Sequence, residues 1–157
     1  MTTPHIVAAT DFSDLSLQMC EPVAALALAL DARLTLLHVV VDPVTIVAPG
    51  IPSVPAMPAV APDLEEALKT ARGRLEELRG SFAPLERIGI EAVRGLDVAE
   101  TIVEQAEALD ADMIAMATHG RSGLERLFGG SVAEGVVRKS SIPLLLYPQR
   151  AAESDGP

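Results

Sequence analysis

Asp112-Met113-Ile114-Ala115-Met116-Ala117 runs straight into Thr118-His119-Gly120-Arg121-Ser122-Gly123, and this junction decides the fold. The segment Asp112 to Ala117 is a short apolar run of the kind buried in a parallel sheet. A polar, glycine-containing turn breaks it. After Leu124 to Phe128 come Gly130 and Ser131, and Ser131 opens an apolar-periodic stretch, Val132, Val136 and Val137. Pro143 ends that stretch, and Leu144-Leu145-Leu146-Tyr147 reads as one more buried strand. The grammar is strand, glycine loop, helix, strand. Such a loop presents backbone N–H groups and a helix N-terminus at the carboxyl end of a sheet, which makes it a phosphate cradle.

The preceding chain supplies the sheet that carries this loop. Pro4 to Ala9 is a first strand, and Thr10-Asp11-Phe12-Ser13-Asp14 a turn with Ser13 or Asp14 as N-cap. The helix it opens extends to about Leu30, with Leu17, Ala24 and Leu28 inward. Pro22 inside it removes a hydrogen bond at a cost of ~3 kcal/mol and predicts a kink or a restart. Ala32 to Val41 is a second, central strand. Residues 43 to 62 hold Pro43, Pro52, Pro55, Pro58 and Pro62 and form a long loop. Asp63 caps a charged helix to about Gly80, its apolar stripe Leu64, Leu68, Ala71, Leu75 and Leu78. Glu86 to Arg94 is a third strand closed by Gly95. Asp97 opens a helix ending near Asp110, with Ala99, Ile102, Val103 and Ala106 inward. Residues 151–157 form a frayed tail.

Alternating strands and helices predict an open, five-stranded, mostly parallel α/β sheet covered by helices on both faces. Right-handed crossovers and a single reversal of direction put a switch point beside the first strand, and 3-2-1-4-5 is the order expected. If the first and fourth strands are neighbours, Thr10-Asp11 and the Thr118–Ser131 loop meet in one crevice, a carboxylate on one wall and N–H donors on the other.

Composition narrows the function classes. The 157 residues fit a single domain, residues 1–150, able to bury a core. No stretch approaches the roughly 20 apolar residues of a membrane span. The Met1–His5 segment lacks a basic n-region, so no secretory leader is expected. The single cysteine, Cys20, excludes an internal disulfide and fits a reducing cytoplasm. A net charge of −10 argues against nucleic acid or anionic membrane as the main partner. His5, His38 and His119 lack metal-ligand spacing, and His38, inside an apolar strand, reads as a satisfied core residue. His119, Arg121 and Arg126 flank the cradle. There is no GxxxxGK[ST] and no GxSxG, so efficient catalysis lacks its usual residues.

Ala9-Thr10-Asp11-Phe12-Ser13, Leu37-His38-Val39, Met116 to Gly123 and Gly130-Ser131-Val132 together resemble the universal stress protein family, in order from Pro4 to Tyr147. The resemblance implies a Rossmann-like, adenine nucleotide alpha hydrolase-like fold and a bound ATP, with Mg²⁺ as its companion. It places Ala9, Thr10, Asp11 and Val39 at the adenine and ribose end. It sets Met116, Ala117 and Gly120 under ribose and phosphates, and Gly130, Ser131 and Val132 around the phosphates. Asp11 is the residue to reach nucleotide-bound Mg²⁺. The family's nucleotide-binding branch has Gly, two residues, Gly, nine residues, then Gly with Ser or Thr. Gly120, Gly130 and Ser131 match, but the first position is Ala117. A methyl group there opposes close backbone approach and positive φ, so weakened and lost binding both stay open.

Three functions are thereby expected in order. The first is a cytoplasmic stress-response regulator that binds ATP without efficient turnover and acts as a homodimer toward a regulatory partner. An unpaired apolar edge at Ile142–Tyr147 is the predicted dimer surface. The second is a nucleotide-free dimeric interaction module. The third is a weak ATPase or autokinase in which Ser122 or Ser131 accepts phosphate.

Overall fold

Strand alternation sorts the apolar side chains into two layers, one on each side of a single sheet. The computed structural model describes residues 2–42, 63–82, 86–118 and 131–149. The strands are β1 (His5–Ala9), β2 (Arg33–Val41), β3 (Ile88–Gly95), β4 (Met113–Thr118) and β5 (Leu144–Pro148). The helices are α1 (Asp14–Ala29), α2 (Leu64–Gly80), α3 (Val98–Ala108) and α4 (Val132–Lys139). The sheet order is β3-β2-β1-β4-β5, and every pairing is parallel. Ala9 stands in register with Leu37 on one side and Met116 on the other. The first and fourth strands are therefore neighbours, the condition for a crevice between their carboxyl ends.

Ile6 and Ala8 of β1 turn to one face, where Leu34, Leu36 and Ala115 join Met19, Cys20 and Val23 of α1 and Leu75 of α2. Val7 and Ala9 turn to the other, with Leu37, Val39, Ile114 and Met116 against Ile102, Val103 and Ala106 of α3 and Val136 of α4. Burial pushes the Cys20 thiol up to about 11, so it packs here as a small apolar group.

Each helix begins where a short polar side chain can accept its first N–H groups. Ser13 accepts from Ser16, Asp63 from Glu65 and Glu66, Asp97 from Glu100 and Ser131 from Glu134. Helices α1 and α3 end alike. Ala32 N–H donates to Ala27 O and Asp31 N–H to Leu28 O; Ala111 N–H donates to Ala106 O and Asp110 N–H to Glu107 O. This paired pattern needs a left-handed residue, and Asp31 and Asp110 supply it at φ 51°.

Some expectations change. Helix α1 runs through Pro22 without a restart. Gln18, whose carbonyl loses its usual donor there, lies on the solvent side with Pro22, so water can replace the missing bond. Leu28 is 62% exposed rather than inward, because the buried stripe follows Met19, Val23 and Ala27. In α4 only Val136 of the three valines is buried; Val132 and Val137 are exposed. Strand β3 starts at Ile88, two residues later than the pattern suggested. The 43–62 loop, the glycine loop and the 151–157 tail lie outside the described residues.

Candidate functional site

A parallel sheet collects the carboxyl ends of its strands on one edge, and the order reversal between β1 and β4 opens a crevice there. A cleft of about 1280 Å³ occupies this position. The described residues around it include the ends of β1, β2 and β4, the turn into α1, one face of α2 and the start of α4. Ala9, Thr10, Asp11, Val39, Met116, Ala117, Ser131 and Val132 all line it. Gly120 and Gly130, with His119, Arg121, Ser122 and Arg126, lie outside the described residues.

The turn after β1 is held by a continuous chain of hydrogen bonds. Thr10 N–H donates to Leu37 O at 2.9 Å, which ties the turn to β2. The Ser16 hydroxyl donates to Ser13 O at 3.0 Å, so the 2.8 Å contact between Thr10 Oγ1 and Ser16 Oγ has Thr10 as donor. Thr10 Oγ1 in turn accepts from Phe12 N–H at 3.0 Å. Asp11 Oδ1 accepts from Ser13 N–H at 2.9 Å, the ordinary turn role of an aspartate after a strand. Burial raises the Asp11 carboxyl, but the Ser13 hydroxyl and N–H outweigh it and hold the group below its usual range. It is ionised at neutral pH.

On the opposite wall, α4 points its N-terminus at the cleft. Ser131 Oγ is engaged by Glu134 N–H at 3.1 Å, while Val132 and Ala133 line the cleft. The first N–H groups of a helix have no partner within it and carry the positive end of its dipole. Ala117 sits between the two walls. It lies within β4, and the non-glycine residues with positive φ among those described are Phe12, Asp31 and Asp110. Of the two demands that favour glycine, positive φ is therefore not made here.

The sequence pattern missed part of the site. His38 is not a core residue: it is half-buried, lines the cleft, and its Nδ1 lies 2.7 Å from Thr10 O. Its ring centroid is 4.5 Å from that of Phe12. Phe12 takes φ 61°, and the Arg74 guanidinium of α2 lies 4.1 Å from the centroid of its ring. Cation–π contacts of this kind contribute about 0.5–1 kcal/mol when exposed. Asp63, Glu66 and Thr70 extend the same α2 face along the cleft. The helical spacing of Glu66, Thr70 and Arg74 was visible, but nothing local marked that face as turned to a cavity. His5 is also spoken for, far from the cleft: Nδ1 donates to Leu109 O at 3.0 Å and Nε2 accepts from Thr35 Oγ1 at 2.8 Å. Among the described residues no cluster of His, Cys, Asp and Glu is arranged to hold a metal ion, and no helix is long and apolar enough to cross a membrane.

Residues 2–148 match the family model described as the universal stress protein family. Universal stress protein MJ0531 of Methanocaldococcus jannaschii is 33% identical over 149 residues, covering 94% of this chain and 84% of its own. The solved structure of hypothetical protein MJ0577 superposes with a TM-score of 0.69 at 23% identity, over 97% of this chain and 100% of that one. A universal stress protein in complex with cAMP superposes with a TM-score of 0.64 at 21% identity, over 93% and 97%. The sheet order, the cleft at its reversal and these matches agree, and the chain belongs to the universal stress protein family.

Proposed function

We propose that this protein binds an adenine nucleotide, ATP with Mg²⁺, in the cleft at the carboxyl ends of β1, β2 and β4. It acts as a cytoplasmic, dimeric stress-response regulator that does not turn the nucleotide over efficiently. One observation carries the reading: a helix N-terminus capped by Ser131 faces an ionised, hydrogen-bonded Asp11 across a single cleft at the switch point. The cleft is ample, since small-molecule sites usually enclose roughly 300–1,000 Å³. A family member of the same fold was solved with cAMP. In this reading Ala9, Thr10, Asp11 and Val39 border the base and ribose, with Met116 and Ala117 beneath. The N–H groups of Val132 and Ala133 and the Ser131 hydroxyl meet the phosphates, as do Gly120 and Gly130 by their place in the sequence. Mg²⁺, when bound, would supply charge neutralisation for the phosphates, and Asp11 would be the carboxylate to help hold it.

Net charge does not oppose this, because dipoles and N–H groups act locally while charges beyond ~10 Å are screened. Freshly purified protein, denatured and chromatographed, is expected to release adenine nucleotide, and Asp11→Ala protein to release much less. Equal release from both would remove Asp11 from the site.

The second reading, a nucleotide-free interaction module, draws on the Ala117 methyl that lines the cleft wall. Ala117→Gly separates the two: the module reading predicts that only the glycine variant retains nucleotide.

A further inference from the structure

Strand alternation divides the cleft into two lobes. Val39 of β2 packs with Leu37 in the layer against α3, so His38 and Val40 stand on the opposite face, toward α1 and α2. The nucleotide reading leaves this second lobe unused. It is lined by Phe12, His38 and Val40, with Ala67, Thr70 and Arg74 along one face of α2.

Arg74 is held there without a counter-charge. Its guanidinium carbon lies 4.1 Å from the centroid of the Phe12 ring, and it has no carboxylate partner among the described residues. Residues 43–62, which join β2 to α2, contain no aspartate or glutamate. The ring under the guanidinium comes from a strained turn. Phe12 adopts φ 61°, an outlier for a bulky residue. Its N–H is tied to Thr10 Oγ1 at 3.0 Å, and its ring centroid is 4.5 Å from that of His38. Strain kept by several contacts at the wall of a cleft is a mark of a functional position. The ring takes the flat face of the guanidinium and leaves its edges, with their forked N–H donors, to a ligand.

We propose that this lobe is a second ligand site for a small monocarboxylic acid with an apolar body. The Arg74 fork donates to both carboxylate oxygens, and the Thr70 hydroxyl, one turn earlier on the same face, is a further donor. Phe12, Val40 and Ala67 offer apolar surface to the rest of the molecule. A single charge is specified by the balance of groups around the cleft. Asp63 and Glu66 lie further along the same helix face, and Asp11 follows Thr10 in the turn. A phosphate dianion would meet these three carboxylates with one arginine to offset them. The site is independent of the nucleotide reading, since His38 and Val39 face opposite sides of β2.

The test titrates sodium benzoate into nucleotide-stripped, ¹⁵N-labelled protein, followed by amide NMR. Benzamide serves as the uncharged probe and inorganic phosphate as the competing anion. Benzoate is expected to give saturable shifts at Phe12, Thr70 and Arg74 with a Kd on the order of millimolar. Benzamide and phosphate should bind at least about tenfold more weakly, the scale of a charge-assisted hydrogen bond. Arg74→Gln, which keeps a good helix former, should weaken benzoate by about tenfold and leave the rest of the spectrum in place. Shifts that never saturate, or equal binding of benzamide to the wild type, would overturn the proposal whatever the variant's stability. So would unchanged benzoate affinity in Arg74→Gln. Phosphate binding as tightly as benzoate would overturn the carboxylate assignment. Loss of the benzoate shifts on saturation with ATP–Mg²⁺ would put benzoate in the nucleotide position and overturn the second site.

Discussion

Asp110 and Asp31 occupy the left-handed position after α3 and α1, where glycine is the usual residue, each at φ 51°. A left-handed side-chain residue costs roughly 1–2 kcal/mol, less for aspartate, and a negative charge at a helix C-terminus adds to it. Asp110→Gly should therefore stabilise the protein by about 1 kcal/mol and raise the thermal midpoint by roughly 2–4 °C. An unchanged or lower midpoint would show that Asp110 makes compensating contacts. Asp31 offers a smaller gain, because its carboxylate pairs with Arg87 at 3.2 Å. Single residues were also where sequence reading was weakest. Thr10, Asp11 and Ser131 could be placed because each punctuates the end of an element. His38 could not, since an apolar strand around a histidine has the same pattern whether the ring meets a core or a cleft. Its site role depends on Thr10 and Phe12, 28 and 26 positions earlier, a proximity created by strand pairing. Phe12 gave no signal either, because positive φ in a non-glycine residue follows from tertiary contacts.

At the scale of elements, the close crossing of α3 and α4 sets where the α4 N-terminus points. A Cβ added at Gly135 would lie 2.6 Å from the Ala99 Cβ, inside any tolerable separation. Gly135→Ala should destabilise by about 1–3 kcal/mol through overpacking, despite a helix-propensity gain of about 1 kcal/mol. Adding Ala99→Gly should recover much of that loss in a double-mutant cycle. A more stable single variant would mean that the helices are free to part. The same two helices are joined by Lys139, whose Nζ lies 3.1 Å from Asp97 and 3.5 Å from Glu100. The Glu100 N–H and then Lys139 hold the Asp97 carboxyl below its ordinary 3.8. Asp97 in turn raises Lys139 above its ordinary 10.5. A depressed carboxylate contributes stability above its unfolded value and loses it as pH falls through the folded one. The raised lysine contributes below 10.5 and loses it as pH climbs further. Asp97→Asn should flatten both limbs of the unfolding midpoint against pH, below 3.8 and above 10.5. Unchanged limbs would show the pair to be energetically silent, as many exposed pairs are. Element order and caps were legible because strand runs, Asp63, Asp97 and Ser131 are local signals. Leu28 was misplaced because an alanine-rich helix has apolar residues on several faces, and only packing selects the buried one.

For the molecule as a whole, strand β5 closes one edge of the sheet. Ile114 N–H donates to Pro143 O and Gln149 N–H to Thr118 O, so odd-numbered residues of this segment bond β4. The even-numbered Leu144, Leu146 and Pro148 then turn their backbone groups outward. Leu144 to Tyr147 are only half-buried, and such an edge invites a second copy. Sedimentation is expected to give twice the 16.5 kDa chain mass, and Leu146→Pro, which removes an outward N–H without breaking a β4 bond, a monomer. Dimers that survive Leu146→Pro would move the interface elsewhere. Alternation and handedness were enough to expect a parallel sheet with a switch point beside β1, but several orders satisfy both, and the pairing of β1 with β4 is settled by the sheet itself. The cleft's α2 wall could not be read from sequence either, because it depends on how far that helix leans over β2. Whether nucleotide occupies this cleft is decided by titrating ATP–Mg²⁺ into nucleotide-stripped protein in a calorimeter. Saturable one-site binding with a Kd on the order of micromolar is expected. No heat up to about millimolar ATP would contradict it and leave the cleft to another ligand.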